Sequence, residues 1–253
     1  MTKESTLAAD FFDSVSDRYK EKYGEKSAFH HYFFNQRLQK TLEGLDLTNK
    51  DILDIGSGTG DLYDEVVLRW PTARFYATDI SAGMLAQSNV PSDQKFIGHG
   101  YESHFGTKKF DLITMLGVST YMDELELDKN LKFIAKSLEP NGQVIVSFTN
   151  AHALDLWLRN LAKPFLGLTG KKNKVMTSGV PIYPRSAAKA KEAMARYFSS
   201  NELHLLNQTV FPFSRVLPRP AVVLAKWIDT VPGNSAWKRW LSSDLLIKSK
   251  MIS

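Results

Sequence analysis

Asp51-Ile-Leu-Asp54-Ile-Gly56-Ser-Gly58-Thr-Gly60-Asp61 reads as a short apolar strand that ends in a glycine-rich turn and opens a helix. Three glycines on alternate positions let backbone come close to a ligand, because glycine lacks a Cβ and tolerates positive φ. The strand-turn-helix context carries more weight than the glycines alone.

Outward from this stretch, strands and helices alternate. Arg74–Thr78 is a second strand that closes on Asp79, Lys95–Ile97 a brief third, Phe110–Leu116 a fourth and Gln143–Thr149 a fifth. Helices fall between them. One runs from about residue 60 to 69 and is stopped by Pro71; another is Ala82–Gln87, with Ser81 as N-cap. A third starts at Asp123, where Glu126 stands at the spacing of a capping box, and Pro140-Asn141-Gly142 follows it as a turn. Apolar strands interleaved with helices predict a parallel sheet covered on both faces.

Two helices precede the first strand, over 5–23 and 28–44. Phe11, Phe12, Val15, Tyr19 and Tyr23 share a face of the first; the second carries Phe33, Gln36 and Arg37 and closes at Gly44. Their place in the chain lets them fold over the strand ends. After residue 150 the rhythm changes. Leu154, Trp157, Leu158, Leu161 and Phe165 form one helical face, and 167–178 is a basic loop with Lys171, Lys172 and Lys174. Ala187–Phe198 reads as a helix and Leu203–Phe211 as a strand. A proline-rich 212–220 leads into an apolar run, and a last strand begins at Asp244. The expectation is one α/β domain over 1–253. Its seven-stranded, mostly parallel sheet has helices on both faces. Residues 1–45 form a helical lid, 46–150 a cofactor-binding core, and 151–253 cap helices inserted before the last strand.

Composition excludes several chemistries. The chain has no cysteine, so a thiol nucleophile, a disulfide framework and a thiolate metal site are out, and no metal is expected. No apolar run approaches the ~18 residues that span a bilayer. The polar start, Met1-Thr-Lys-Glu-Ser-Thr, lacks a signal-peptide layout, so a cytoplasmic location is expected. The net charge of +5 hides an asymmetry: residues 1–155 carry 16 Lys/Arg against 23 Asp/Glu, and residues 156–253 carry 16 against 4. So basic a half attracts anions, whether a substrate, lipid headgroups or nucleic acid; a solvated basic surface explains it equally well.

A glycine turn after the first strand suits dinucleotides or S-adenosylmethionine. The dinucleotide fingerprint needs a third glycine where this chain has Asp61. A pyrophosphate at the helix N-terminus would also meet two carboxylates, Asp54 and Asp61, which suit a cofactor carrying a sulfonium and an ammonium. A phosphate-binding P-loop is excluded, since no Gly-Lys-Ser/Thr follows.

Ile52-Leu-Asp54-Ile-Gly56-Ser-Gly58-Thr-Gly60 resembles the first motif of the class I S-adenosylmethionine-dependent methyltransferases. Further features line up in order. Asp79 matches the acidic residue that binds both ribose hydroxyls, and Ile80 and Met84 match the apolar residues flanking the adenine. Phe110-Asp111-Leu-Ile-Thr-Met-Leu116 resembles the strand whose end lies beside the transferable methyl. The resemblance covers about 30–150 and implies S-adenosyl-L-methionine as cofactor, held by Asp54, Gly56, Ser57, Gly58, Gly60, Asp79, Ile80, Met84, His99, Gly100, Tyr101 and Leu116. Two departures stand out. His99 replaces an acidic residue near the adenine amino group, and Tyr121 replaces a histidine after the fourth strand.

The implied reaction is methyl transfer to a small-molecule acceptor, anionic or amphipathic, at oxygen. Proximity and alignment dominate it, worth up to ~7–11 kcal/mol in favourable cases. An oxygen acceptor also needs a proton removed. Candidates for that task are His31, His152, His30 and Tyr121; each histidine has an ordinary surface role as its alternative. Trp157, Trp227, Trp237 and Trp240 with Lys163, Lys226, Lys238 and Arg239 resemble interfacial helices in composition, which leaves open a peripheral methyltransferase acting on a lipid or prenylated quinone precursor at the inner membrane face. An ordinary substrate cap accounts for the same residues. A non-catalytic cofactor-binding protein is the third reading. Nucleic acid is disfavoured, for want of a reading element.

Overall fold

The computed structural model describes residues 3–19, 28–105, 107–167, 179–208, 210 and 212–251. Tyr23, the basic loop at 168–178 and the side chains of Lys163 and Phe165 lie outside the described residues. The strands are β1 (Asp51–Ile55), β2 (Arg74–Asp79), β3 (Lys95–Ile97), β4 (Phe110–Met115), β5 (Leu138–Thr149), β6 (Phe198–Leu206) and β7 (Asp244–Met251). They make one sheet in the order β3-β2-β1-β4-β5-β7-β6. The first five are parallel, and β7 runs antiparallel between β5 and β6. This is the mostly parallel α/β sheet the alternation predicts, in the Rossmann-like arrangement that the family resemblance implies. Strand order reverses between β1 and β4, and such a reversal opens a crevice at the carboxyl ends of the strands.

The described helices are α1 (Lys3–Val15), α2 (Ala28–Leu42), α3 (Asp61–Arg69), α4 (Ala82–Ala86), α5 (Glu124–Ser137), α6 (Leu154–Gly167), α7 (Ala187–Ala195), α8 (Phe213–Val216), α9 (Pro218–Thr230) and α10 (Ala236–Leu241). Because helices cover both faces, successive residues of a central strand are all buried. Leu53, Ile113, Val144 and Val146 join one core; Ile52, Leu112 and Ile145 join the other. Each such side chain contributes roughly 1.5–3 kcal/mol by leaving water.

Three boundaries depart from the sequence reading. The strand placed at 203–211 starts at Phe198, and the helix before it ends at Ala195. Pairing decides this: Phe198 is buried and sits opposite Met251 of β7, while Asn207, at φ 58°, ends the strand. Secondly, β5 begins at Leu138, so the Pro140-Asn141-Gly142 turn becomes an irregularity inside it. Thirdly, α1 ends at Val15 and continues as one 3-10 turn, Ser16–Arg18.

Gly56 shows why the turn after β1 is glycine. Its φ is +71°, and a Cβ there would lie 2.3 Å from Val118 Cγ1. Gly56→Ala is expected to cost about 2–4 kcal/mol, from the left-handed backbone and from overpacking. Urea denaturation measures it. Adding Val118→Ala should recover only the overpacking share, and an unchanged unfolding midpoint in the single variant contradicts this reading of the turn.

Candidate active site

The turn curls back over β2, because the amides of Gly56 and Ser57 both donate to Thr78 O, at 2.7 and 3.0 Å. That brings Asp79 beside it. Asp79 Oδ2 accepts from the Gly58 amide and Oδ1 from the Ser81 amide, each at 2.8 Å. Ser81 then caps α4 by accepting from the Met84 amide. Asp54 lies beneath the turn, only 3% exposed, and accepts from Thr114 Oγ1 at 2.6 Å. Neither acid has a cation beside it among the described residues. Burial raises the Asp54 carboxyl to about 7, helped by the charges of Asp79 and Asp61. Burial likewise raises Asp79 to about 6, against the backbone amides that favour its ionised form.

His99 follows β3 and is buried. Its Nδ1 lies 3.1 Å from Glu126 Oε1. A carboxylate only accepts, so Nδ1 donates to it, and Nε2 is buried without a hydrogen-bond partner among the described residues. Tyr101 stacks on the imidazole at 4.9 Å. The capping-box spacing at Asp123 and Glu126 is used in half: Asp123 caps α5 by accepting from the Glu126 amide, but the Glu126 carboxylate goes to His99.

These groups border one cavity of about 180 Å³. Asp54, Asp61, Asp79 and His99 supply its polar wall, and Ile80 and Met84 an apolar side. Gly56, Ser57, Gly58, Gly100 and Leu116 also line it; Gly60 and Tyr101, expected at the cofactor from the sequence, are not among its lining residues. A second cavity, of about 190 Å³, adjoins it. Phe12, Tyr19, Phe34, Arg37, Gly117 and Tyr121 line both. Phe11, Phe33 and Phe148 add apolar wall to the second cavity, and Ser147, Thr149 and Asp244 a polar floor. Tyr121 stands edge-on to Phe12 at 5.2 Å.

Helix α1 roofs the first cavity through Ser5, Ala8 and Phe12. It is held at both ends. Asp13 Oδ1 accepts from Ser81 Oγ and from the Gly83 amide, and Glu4 Oε2 accepts from the Tyr183 hydroxyl at 2.6 Å. Helix α2 contributes Arg37, whose guanidinium pairs with buried Asp244 and lies over the Phe33 ring.

The four proton-acceptor candidates separate here. Tyr121 lines both cavities; His30, His31 and His152 line neither. His31 is exposed and bonded to Asn35. His152 is exposed past the end of β5. His30 lies a turn before Phe34 on α2. Sequence reasoning passed over Glu126, Arg37, Asp244 and Asp13 as site residues. Three acids, an imidazole acceptor and an apolar slot fit a ligand that is cationic at one end and carries donors and a flat ring at the other. S-adenosylmethionine has that chemistry.

Comparison with known proteins agrees. Residues 27–208 match the family described as a methyltransferase domain. A malonyl-[acyl-carrier protein] O-methyltransferase of Acetivibrio thermocellus is 32% identical over 112 residues; the match spans 42% of this chain and only 39% of that one. Among solved structures, the magnesium protoporphyrin IX methyltransferase of Synechocystis with bound S-adenosylhomocysteine superposes over 99% of this chain and 100% of its own, with TM-score 0.65 and 16% identity. A methyltransferase of Thermotoga maritima, described as a possible histamine N-methyltransferase, covers 96% and 98%, with TM-score 0.61 and 16% identity. At those identities the likeness is one of fold. Fold and site together define a class I methyltransferase. The chain belongs to the methyltransferase-domain family, and it is an enzyme that uses S-adenosylmethionine.

Two measurements follow from this geometry. A cationic ligand favours ionised Asp54 and Asp79, whose carboxyls hold protons in the free protein below about pH 6–7, so binding should release protons. Affinity for S-adenosylmethionine, read by calorimetry, should therefore rise from about pH 5.5 to about 7.5 and then level; Asp54→Asn should flatten the rise, and a fall with pH contradicts it. Asp13→Ala should loosen α1 alone. Hydrogen exchange of α1 amides should speed up while global stability changes by less than about 1 kcal/mol. Unchanged exchange in α1 would mean Asp13 does not hold the roof.

Proposed function

We propose that this enzyme transfers a methyl group to an oxygen atom of a small-molecule acceptor held in the second cavity. The observation that carries this is the wall common to the two cavities, which sets an acceptor chamber directly beside the cofactor chamber. When bound, S-adenosylmethionine supplies an electrophilic methyl on a cationic sulfur. Asp79 takes the ribose hydroxyls, Ile80 and Met84 flank the adenine, and His99 Nε2 accepts from its amino group. Asp54 and Asp61 face the ammonium end. Ser57, Tyr101, Leu116 and the turn glycines, with Gly100, complete the cradle.

In the acceptor chamber, seven aromatic rings, those of Phe11, Phe12, Phe33, Phe34, Phe148, Tyr19 and Tyr121, favour a flat or apolar body. Arg37 is its cation. Its fork spends one N–H on Asp244 and keeps others to hold an anionic group. An acceptor oxygen already ionised needs no general base, which fits a chamber without histidine. Tyr121 is assigned the role of orienting the acceptor at the common wall. The acceptor is thus anionic or amphipathic.

Turnover of labelled S-adenosylmethionine against paired acids and amides of one aromatic skeleton tests this. The acid should be the better acceptor. The double variant Arg37→Met, Asp244→Asn removes both buried charges together. It should raise the acceptor KM by roughly 10–100-fold, the worth of one hydrogen bond to a charged group, and leave cofactor affinity within a few-fold. Equal turnover of acid and amide, or an unchanged KM, speaks against the assignment.

A further inference from the structure

Helix α9 reverses the usual pattern of a surface helix. Its inner side is built of Ala221, Ala225 and Ile228, all buried. Its outer side carries Val223, Leu224 and Trp227, which are 69%, 46% and 63% exposed. Helices of globular proteins ordinarily turn their large apolar residues to the core and polar ones to water. Val216 and Leu217, just before α9, are exposed as well. At its far end, α10 is tied on by Lys238 Nζ, which donates to Val231 O at 2.7 Å and to Asp229 O at 3.4 Å. Helix α10 presents Trp237 and Trp240 and touches α6, where Trp157 is also exposed. Isolated exposed apolar residues need no explanation; a run of them on adjoining helices marks an interaction site.

The charge around this run is one-sided. Residues 203–243 hold five Lys/Arg against one Asp/Glu. Arg215, Arg219 and Lys226 are exposed, and no described carboxylate pairs with them. The single acid, Asp229, bears on Tyr32 of α2. No described helix is long and apolar enough to cross a membrane.

We propose that α9, with α10 and α6 at its end, docks on an anionic lipid bilayer. Tryptophan and aliphatic side chains enter the boundary between headgroups and chains, where amphipathic rings are favoured. Arg215, Arg219 and Lys226 meet anionic headgroups. Unpaired cations scattered among apolar residues suit a fluid layer of anions better than one fixed protein surface. Docking also places the acceptor chamber close to lipid. The small residues of α9 let it pack on α2, and α2 carries Phe33, Phe34 and Arg37 into that chamber. This last link rests on the proposed use of the second cavity; the docking itself does not.

Flotation of the full chain with vesicles of phosphatidylcholine, with and without phosphatidylglycerol, tests it. The protein should float only with the anionic vesicles, with a blue shift of tryptophan emission. Arg219→Ser or Lys226→Ser should each weaken partition about five-fold at low salt. Trp227→Ser should weaken it at all salt concentrations. None of these residues lines either cavity, so cofactor affinity in solution should be unchanged, which separates failure here from failure of the methyltransferase reading. Folded, cofactor-binding protein that does not float overturns the proposal. So does flotation indifferent to the three substitutions, or a molar mass doubled in solution and halved by Trp227→Ser, which would assign the face to a second copy of the chain.

Discussion

A carboxylate held away from water with no cation beside it is the constraint on which this site depends. Among the described residues, Asp54 and Asp79 are both in that condition. Ionising such a group without a partner costs several kcal/mol, so burial holds the Asp54 carboxyl up to about 7 and that of Asp79 up to about 6. The fold offsets the cost with hydrogen bonds: Thr114 to Asp54, and the amides of Gly58 and Ser81 to Asp79. Those bonds also build the site. Asp79 fixes the glycine turn to the end of β2, Ser81 caps α4, and Asp13 brings α1 onto that cap. One acid thus links the strand ends, the first helix past β2 and the roof.

Such an arrangement leaves chemistry to position rather than to strong acids and bases. Methyl transfer from sulfonium has a good leaving group, and alignment supplies most of what an enzyme adds. Among the described residues, His99 is the only histidine lining either cavity, and its Nδ1 is taken up by Glu126. The acceptor side instead offers rings and the buried Arg37–Asp244 pair. Removing one member of such a pair is far more damaging than removing both, because it strands a charge.

The parts of the site written in consecutive residues were legible in the sequence. The turn from Gly56 to Gly60, Asp79 at the end of its strand, and Ser81 before α4 follow from local pattern and alternation. Parts that depend on pairing across the chain were not. Arg37 meets Asp244 across 207 residues, and no spacing rule connects them. Glu126 sits where a capping box predicts a local bond, yet its carboxylate turns to His99 in another loop. Phe198 reads as the end of a helix and becomes strand, because β7 offers it a partner. His30, His31 and His152 were singled out for their chemistry, and burial, which linear pattern does not encode, sets them apart from both cavities. The outward tryptophans are the converse case: they are conspicuous in composition, but only the fold shows that Trp157, Trp227, Trp237 and Trp240 are exposed, Trp227 opposite the alanine-lined inner face of α9.

The central claim is that two cavities, one acidic and one aromatic, are the cofactor and acceptor sides of a single transfer. A crystal structure with S-adenosylhomocysteine tests it most directly. The thioether sulfur should lie at the wall of Phe12, Gly117 and Tyr121, facing the Arg37 chamber, with the ribose hydroxyls within hydrogen-bond reach of Asp79. A ligand seated in the aromatic chamber, or one whose ribose is out of reach of Asp79, would contradict it.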